Sequence, residues 1–183
     1  MYDFALFLHL LGVAGLAAGI GLEQATLHRL RRARSGREVV TAIGIAEVNG
    51  RLMPLASVLL LLPGLYMVSE RWSWTSPWVL TALVLLIGLN AVGGAVVGRR
   101  ADALAKAAAD SLDTLDPAVA RMANNPVLHF AMWLNGTGVV AALLLMTTKP
   151  NLVGSLLAAA AAIVVALVAS MALQRGQPAA ETA

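Results

Sequence analysis

His9 and Glu23 are the side chains with most capacity for chemistry, because both fall inside the first long apolar run, Phe4 to Leu27. An ionisable group at membrane depth is costly and ordinarily faces other protein or a water-filled cavity. A neutral imidazole can ligate haem iron or copper, or move protons. A lone buried histidine can equally serve only as a hydrogen-bond partner for a neighbouring helix, and the residue types leave the two readings of His9 evenly balanced. Glu23 is the more expensive group, and an ion pair with Arg51 or His28 is favoured over a proton relay. At a rise of about 1.5 Å per residue, His9 and Glu23 lie about 21 Å apart on one helix. They cannot share a metal or a proton donor, and the same reasoning argues against a haem held by His9 and His129 of one protomer.

Depth sorts the remaining candidates. Lys149 and Met146 end the fourth apolar run, and Tyr66 and Met67 end the second, all at the level of His9. Imidazole and thioether together suit Cu(I), which would make His9, Met67 and Met146 a copper set. A lysine at a helix end snorkels by default, and the methionines form no paired metal motif. His28 sits among arginines and is expected in solvent; His129, near a helix start, is expected to be structural. The chain contains no cysteine, so disulfides, iron–sulfur clusters and thiolate metal sites are excluded.

The elements that must position these residues are membrane helices. His9, Gly12, Gly19, Glu23 and Thr26 recur at helical spacing and share one face. Gly15 and Gly19 add a GxxxG pair of the kind that lets helices approach closely. Five spans are expected at about 4–27, 52–68, 79–97, 127–148 and 152–173, giving an all-α polytopic membrane bundle with a four-helix core plus a fifth transmembrane helix. Pro63-Gly64 should kink the second span. Segments 28–51 and 98–126 are expected outside the bilayer on one side, the first as an interfacial helix and the second as a helical hairpin or surface helix, for which a solvated linker is favoured over a binding site. Residues 176–183 read as a flexible tail. The runs are too long and uniform for barrel strands, whose apolar residues alternate.

Composition agrees. The 183 residues are 59% hydrophobic and 13% charged, against about 25% charged in soluble domains, and the mean hydropathy is +0.78. The basic residues cluster beside apolar runs, so the pI of about 10.0 reads as membrane orientation and not as nucleic-acid binding. Eleven of the 13 lysines and arginines fall on one side of this layout, and only Arg71 and Lys149 fall on the other. That bias puts the N-terminus outside and the C-terminus in the cytoplasm of a bacterial inner membrane. Trp72, Trp74 and Trp78 then mark the outer headgroup level. Met1-Tyr2-Asp3 lacks a basic n-region, so the first helix is expected to remain uncleaved.

Three stretches carry a resemblance: Leu8-His9-Leu10-Leu11-Gly12 with Ala18-Gly19; Arg51-Leu52-Met53-Pro54 with Pro63-Gly64-Leu65-Tyr66-Met67; and Asn125-Pro126 with Leu145-Met146-Thr147-Thr148-Lys149-Pro150. Together they resemble a family of small predicted integral membrane proteins of unknown function. More distantly the chain is similar to the membrane-integral, haem-containing protoporphyrinogen oxidases and to copper-resistance-D-like proteins. The distant resemblance implies that His9 matches the oxidase's first-helix histidine and Lys149 the lysine before its final proline. If haem b is bound, His9, Lys149 and Tyr66 would hold it. The chain departs from the oxidases in a small, acidic first helix, Leu16 to Ala25, and in its fifth span.

Three function classes follow. The leading one is a structural or partner-binding membrane subunit without a cofactor, whose small-residue faces receive a second copy or another membrane protein. The alternatives are a haem-linked redox protein and a copper-handling protein; whether the chain is an enzyme is left open.

Overall fold

The computed structural model describes residues 1–175; the tail expected to be flexible, 176–183, lies outside them. The described chain runs α1 (Tyr2–Arg32), α2 (Gly36–Arg71), α3 (Pro77–Val92), a π-helical segment (Gly93–Gly98), α4 (Arg99–Ala109), α5 (Pro117–Ala123), α6 (Pro126–Thr148) and α7 (Leu152–Arg175). Five helical stretches are long and apolar enough to cross a membrane. Phe4, Phe7, Val84, Ile87, Val140 and Leu157 stand exposed on the outer surface of the bundle, as lipid requires and water would not tolerate. The protein is an all-α polytopic membrane bundle.

Two boundaries differ from the sequence reading. The expected interfacial helix and second span are one helix, α2, which runs unbroken through Pro54 and Pro63. The third span continues through the π-helical segment into α4 as a single stretch, Pro77–Ala109. Proline removes one backbone hydrogen bond but need not end a helix whose neighbours hold both halves.

Glycine decides how α1 meets α2. A Cβ on Gly12 would collide with the backbone of Leu59 and Leu60, and one on Gly15 would lie 2.8 Å from the Ala56 Cβ. One on Gly19 would overlap Met53 and the Asn49 side chain. The small-residue stripe of α1 is thus filled by the chain's own second helix. Farther along, α7 packs on α6 and α3 through buried Ser155, Ala162, Ala166 and Ser170. The Thr137 hydroxyl donates to the Ala162 carbonyl across 2.9 Å.

Segment 98–126 is helical, as its alanine and leucine spacing implies, with α4 and α5 in it, and it is packed and not a solvated linker. Leu104, Ala108, Val119 and Ala123 pack with Leu30, Val39, Ala42 and Ile43 into a core of their own. The free N–H groups at the start of α2 close it, with Gly36 donating to the Thr114 carbonyl at 3.2 Å and Arg37 to that of Leu112 at 2.9 Å. Ser35 caps the same helix end by accepting from the Glu38 N–H at 3.3 Å. Asp116 caps α5 and Asn125 caps α6, each ahead of a proline in the first turn.

Candidate functional site

A layer of Leu16, Ala56, Leu60, Leu86, Leu89 and Val139 crosses the middle of the bundle. It divides two cavities, one towards the tryptophan-bearing end and one towards the arginine-rich end.

The first cavity has a volume of about 370 Å³, and His9, Met67, Met146 and Lys149 all line it, with Trp72 and Trp78 at its end. Four of the five residues that the sequence places at this depth therefore share one cavity. Tyr66 does not line it; that side chain is 38% exposed, because it precedes Met67 by one position and so points about 100° around the helix.

His9 is half-buried and lies 2.7 Å, Nδ1 to oxygen, from the Leu60 carbonyl. Since a carbonyl can only accept, Nδ1 carries the proton and Nε2 the lone pair. Gly64 makes room for the ring: a Cβ there would stand 3.0 Å from Nδ1 and 3.1 Å from Cε1. The partner of His9 is therefore backbone of the second helix and not a side chain.

Lys149 is the only non-glycine residue with positive φ among those described, at 47°. Its N–H still closes the last turn of α6 on the Leu145 carbonyl at 2.9 Å, and its ammonium sits 4.6 Å from the centroid of the Trp72 ring. Trp72 meets Trp78 edge to face at 5.8 Å, and Arg71 stands 4.3 Å over the Tyr2 ring. At this end of the bundle Tyr2 of α1, Trp72 of the α2–α3 turn and Trp78 of α3 thus supply flat rings, with one cation on Tyr2 and one on Trp72.

The second cavity, about 320 Å³, is lined by Glu23, Asn49, Ser57, Asn90 and Asn135. Glu23 is 3% exposed and accepts from the Asn135 amide at 3.0 Å. The expected ion pair is therefore corrected: His28 and Arg51 are exposed, and the partner of Glu23 comes from α6. Ser57 donates to Asn90 at 3.0 Å, tying α2 to α3. His129 is buried, with its Nε2–H on the Ala123 carbonyl at 3.0 Å, and pins α6 to α5, in keeping with a structural role.

Asn135 and Asn49 received no role from sequence reasoning. Their only signal was an amide inside or beside an apolar run, which names no partner. No group of three or more histidine, aspartate or glutamate side chains among the described residues is placed to hold a metal ion. A metal near His9 would depend on methionine sulfur. A family model described as "Predicted integral membrane protein (DUF2269)" matches residues 4–150, which takes in α1 to α6 and ends just after Lys149. No curated protein and no solved structure matches the chain.

Proposed function

The chain belongs to the DUF2269 family of predicted integral membrane proteins, and we propose that it is a membrane-embedded binding protein whose cavity at His9 takes a flat, apolar ligand bearing an acid group, a tetrapyrrole such as haem b. The observation that carries this reading is the 2.7 Å approach of His9 Nδ1 to the Leu60 carbonyl, which assigns the proton to Nδ1 and leaves Nε2 free in an apolar cavity shared with Lys149. A backbone acceptor on one ring nitrogen orients the other as a metal ligand. A volume of about 370 Å³ falls within the roughly 300–1,000 Å³ of ligand pockets and is less than a whole tetrapyrrole occupies, so part of the macrocycle would project beyond the cavity.

The residues fit such a group. His9 offers Nε2, Met67 and Met146 offer thioethers on the same cavity wall, Lys149 offers a cation for a carboxylate, and Trp72 offers a ring face. A bound haem would supply one-electron redox chemistry; the chain's own share is ligation, orientation and exclusion of water by Leu10, Val13, Leu61 and Leu83. Tyr66 has no part in this reading. We further propose that the arginine-rich end faces the cytoplasm of a bacterial inner membrane, which puts the His9 cavity on the outer side.

The test is a titration of the purified full-length protein with haemin, read as a Soret band. Saturable binding that His9→Ala weakens at least tenfold is the expected result. No saturable binding would overturn the proposal. Copper retained by the wild type and lost in His9→Ala, without a Soret response, would favour the second reading, which rests on His9, Met67 and Met146 lining one cavity. Neither result would leave a cofactor-free structural subunit, whose partner would have to use surfaces other than Gly12, Gly15 and Gly19, which α2 fills.

A further inference from the structure

The cavity at Glu23 carries a chemistry the first cavity does not. Glu23 Oε2, Asn135 Oδ1 and Asn49 Oδ1 are buried and have no hydrogen-bond partner, in side chains that are 3%, 3% and 9% exposed. All three belong to residues that line this cavity. They are also close together: Asn135 bonds the other oxygen of Glu23, and the Asn49 Oδ1 lies against Gly19, one helical turn before Glu23 on α1. With Glu23 ionised all three orphans are acceptors, so whatever satisfies them must donate.

Charge narrows the donor. The cavity is lined by three carboxylates, the buried Glu23 and the exposed Glu47 and Asp102, and by no lysine, arginine or histidine. This is notable at the end of the molecule where most of the chain's 13 basic residues gather. Water could donate to the orphan oxygens but brings no charge to a carboxylate set at membrane depth. A cation brings both, and a mouth lined by one sign of charge concentrates the opposite sign.

The remaining walls choose among cations. Leu16, Leu86, Leu89, Met132 and Val139 make one side apolar, and a cavity of about 320 Å³ is larger than a bare metal ion fills. We propose that this cavity binds a primary organic amine, its ammonium donating to Glu23, Asn135 and Asn49 and its hydrocarbon part lying on the leucines. An ammonium has three N–H donors, and the site presents three unpaired acceptor oxygens. The proposal does not rest on the function assigned to the His9 cavity, which lies beyond the apolar layer.

Phenethylamine hydrochloride serves as the probe, with phenethyl alcohol as its uncharged match and NaCl and KCl as inorganic controls. The readout is thermal unfolding of the full-length protein in detergent. The amine is expected to raise the melting temperature saturably, the alcohol and salts not to do so, and Glu23→Gln to weaken the amine response at least tenfold. Glu47→Gln and Asp102→Asn, both on the exposed mouth, should each weaken it severalfold and keep the test open if Glu23→Gln fails to fold. An equal response to the alcohol, a saturable response to Na⁺ or K⁺ alone, no response at all, or a response unchanged in both mouth variants would each overturn the proposal.

Discussion

His9 reaches across from α1 to donate its Nδ1–H to the Leu60 carbonyl of α2, 2.7 Å away, over the bare backbone of Gly64. The bond fixes both the packing of the two helices and the chemistry left at Nε2. His9→Phe keeps the bulk and removes the bond, so it should cost about 1 kcal/mol of stability in thermal unfolding. Gly64→Ala forces the ring to shift by a few tenths of an ångström. It is expected to weaken haemin binding while changing stability by less than about 1 kcal/mol.

Gly12 and Gly21 stand on the same helix and should respond oppositely to one methyl group. At Gly12 the new Cβ meets the Leu59 and Leu60 backbone, while at Gly21 nothing lies within 4 Å. Gly12→Ala should cost about 1–3 kcal/mol by overpacking. Gly21→Ala should be neutral or stabilising by up to about 1 kcal/mol through helix propensity. Thermal melts of the two variants side by side check the contrast.

Asn135 is the only hydrogen-bond donor found for Glu23 among the described residues. Removing it by Asn135→Leu should cost about 1.5–3 kcal/mol, the usual range for a lost bond to a charged group. Replacing both partners, with Glu23→Met added, should recover part of that loss, because no buried polar group is then left alone. A double-mutant cycle measures the coupling, and strict additivity would refute it.

Lys149 stores backbone strain, its φ of 47° lying in the left-handed region just before Pro150. Lys149→Ala keeps the strain and loses the contact with Trp72, so it should destabilise by about 0.5–1 kcal/mol. Lys149→Gly loses the same contact but relieves the strain, and should be the more stable of the two by about 1 kcal/mol. Equal melting temperatures would show that the turn holds no strain.

The absence of cysteine makes single-cysteine labelling a clean test of the proposed orientation. Arg34 and Trp74 are exposed just beyond opposite ends of α2. In intact cells a membrane-impermeant maleimide should label Trp74→Cys and spare Arg34→Cys. The reverse pattern would invert the topology and put the His9 cavity on the cytoplasmic side.

The sequence by itself determined the fold class and the presence of five membrane-spanning helices. Apolar runs of bilayer length can only be helices when they lack barrel alternation, and that argument needs no partner. It also singled out His9, Met67, Met146 and Lys149 as residues of one depth, because position along a helix is linear in residue number. What it could not supply was rotation and pairing. Tyr66 and Met67 share a depth, yet only one turns towards the cavity. Glu23 had arginine and histidine nearby in the chain but found its partner 112 residues later in Asn135. Segment 98–126 was legible as helix from its alanine and leucine spacing, but not what it packs on, because those residues bury themselves only when α1 and α2 bring Leu30, Val39 and Ile43 to meet them. Which face of a helix meets which neighbour is settled by packing, and in this chain by where glycine allows two backbones to touch.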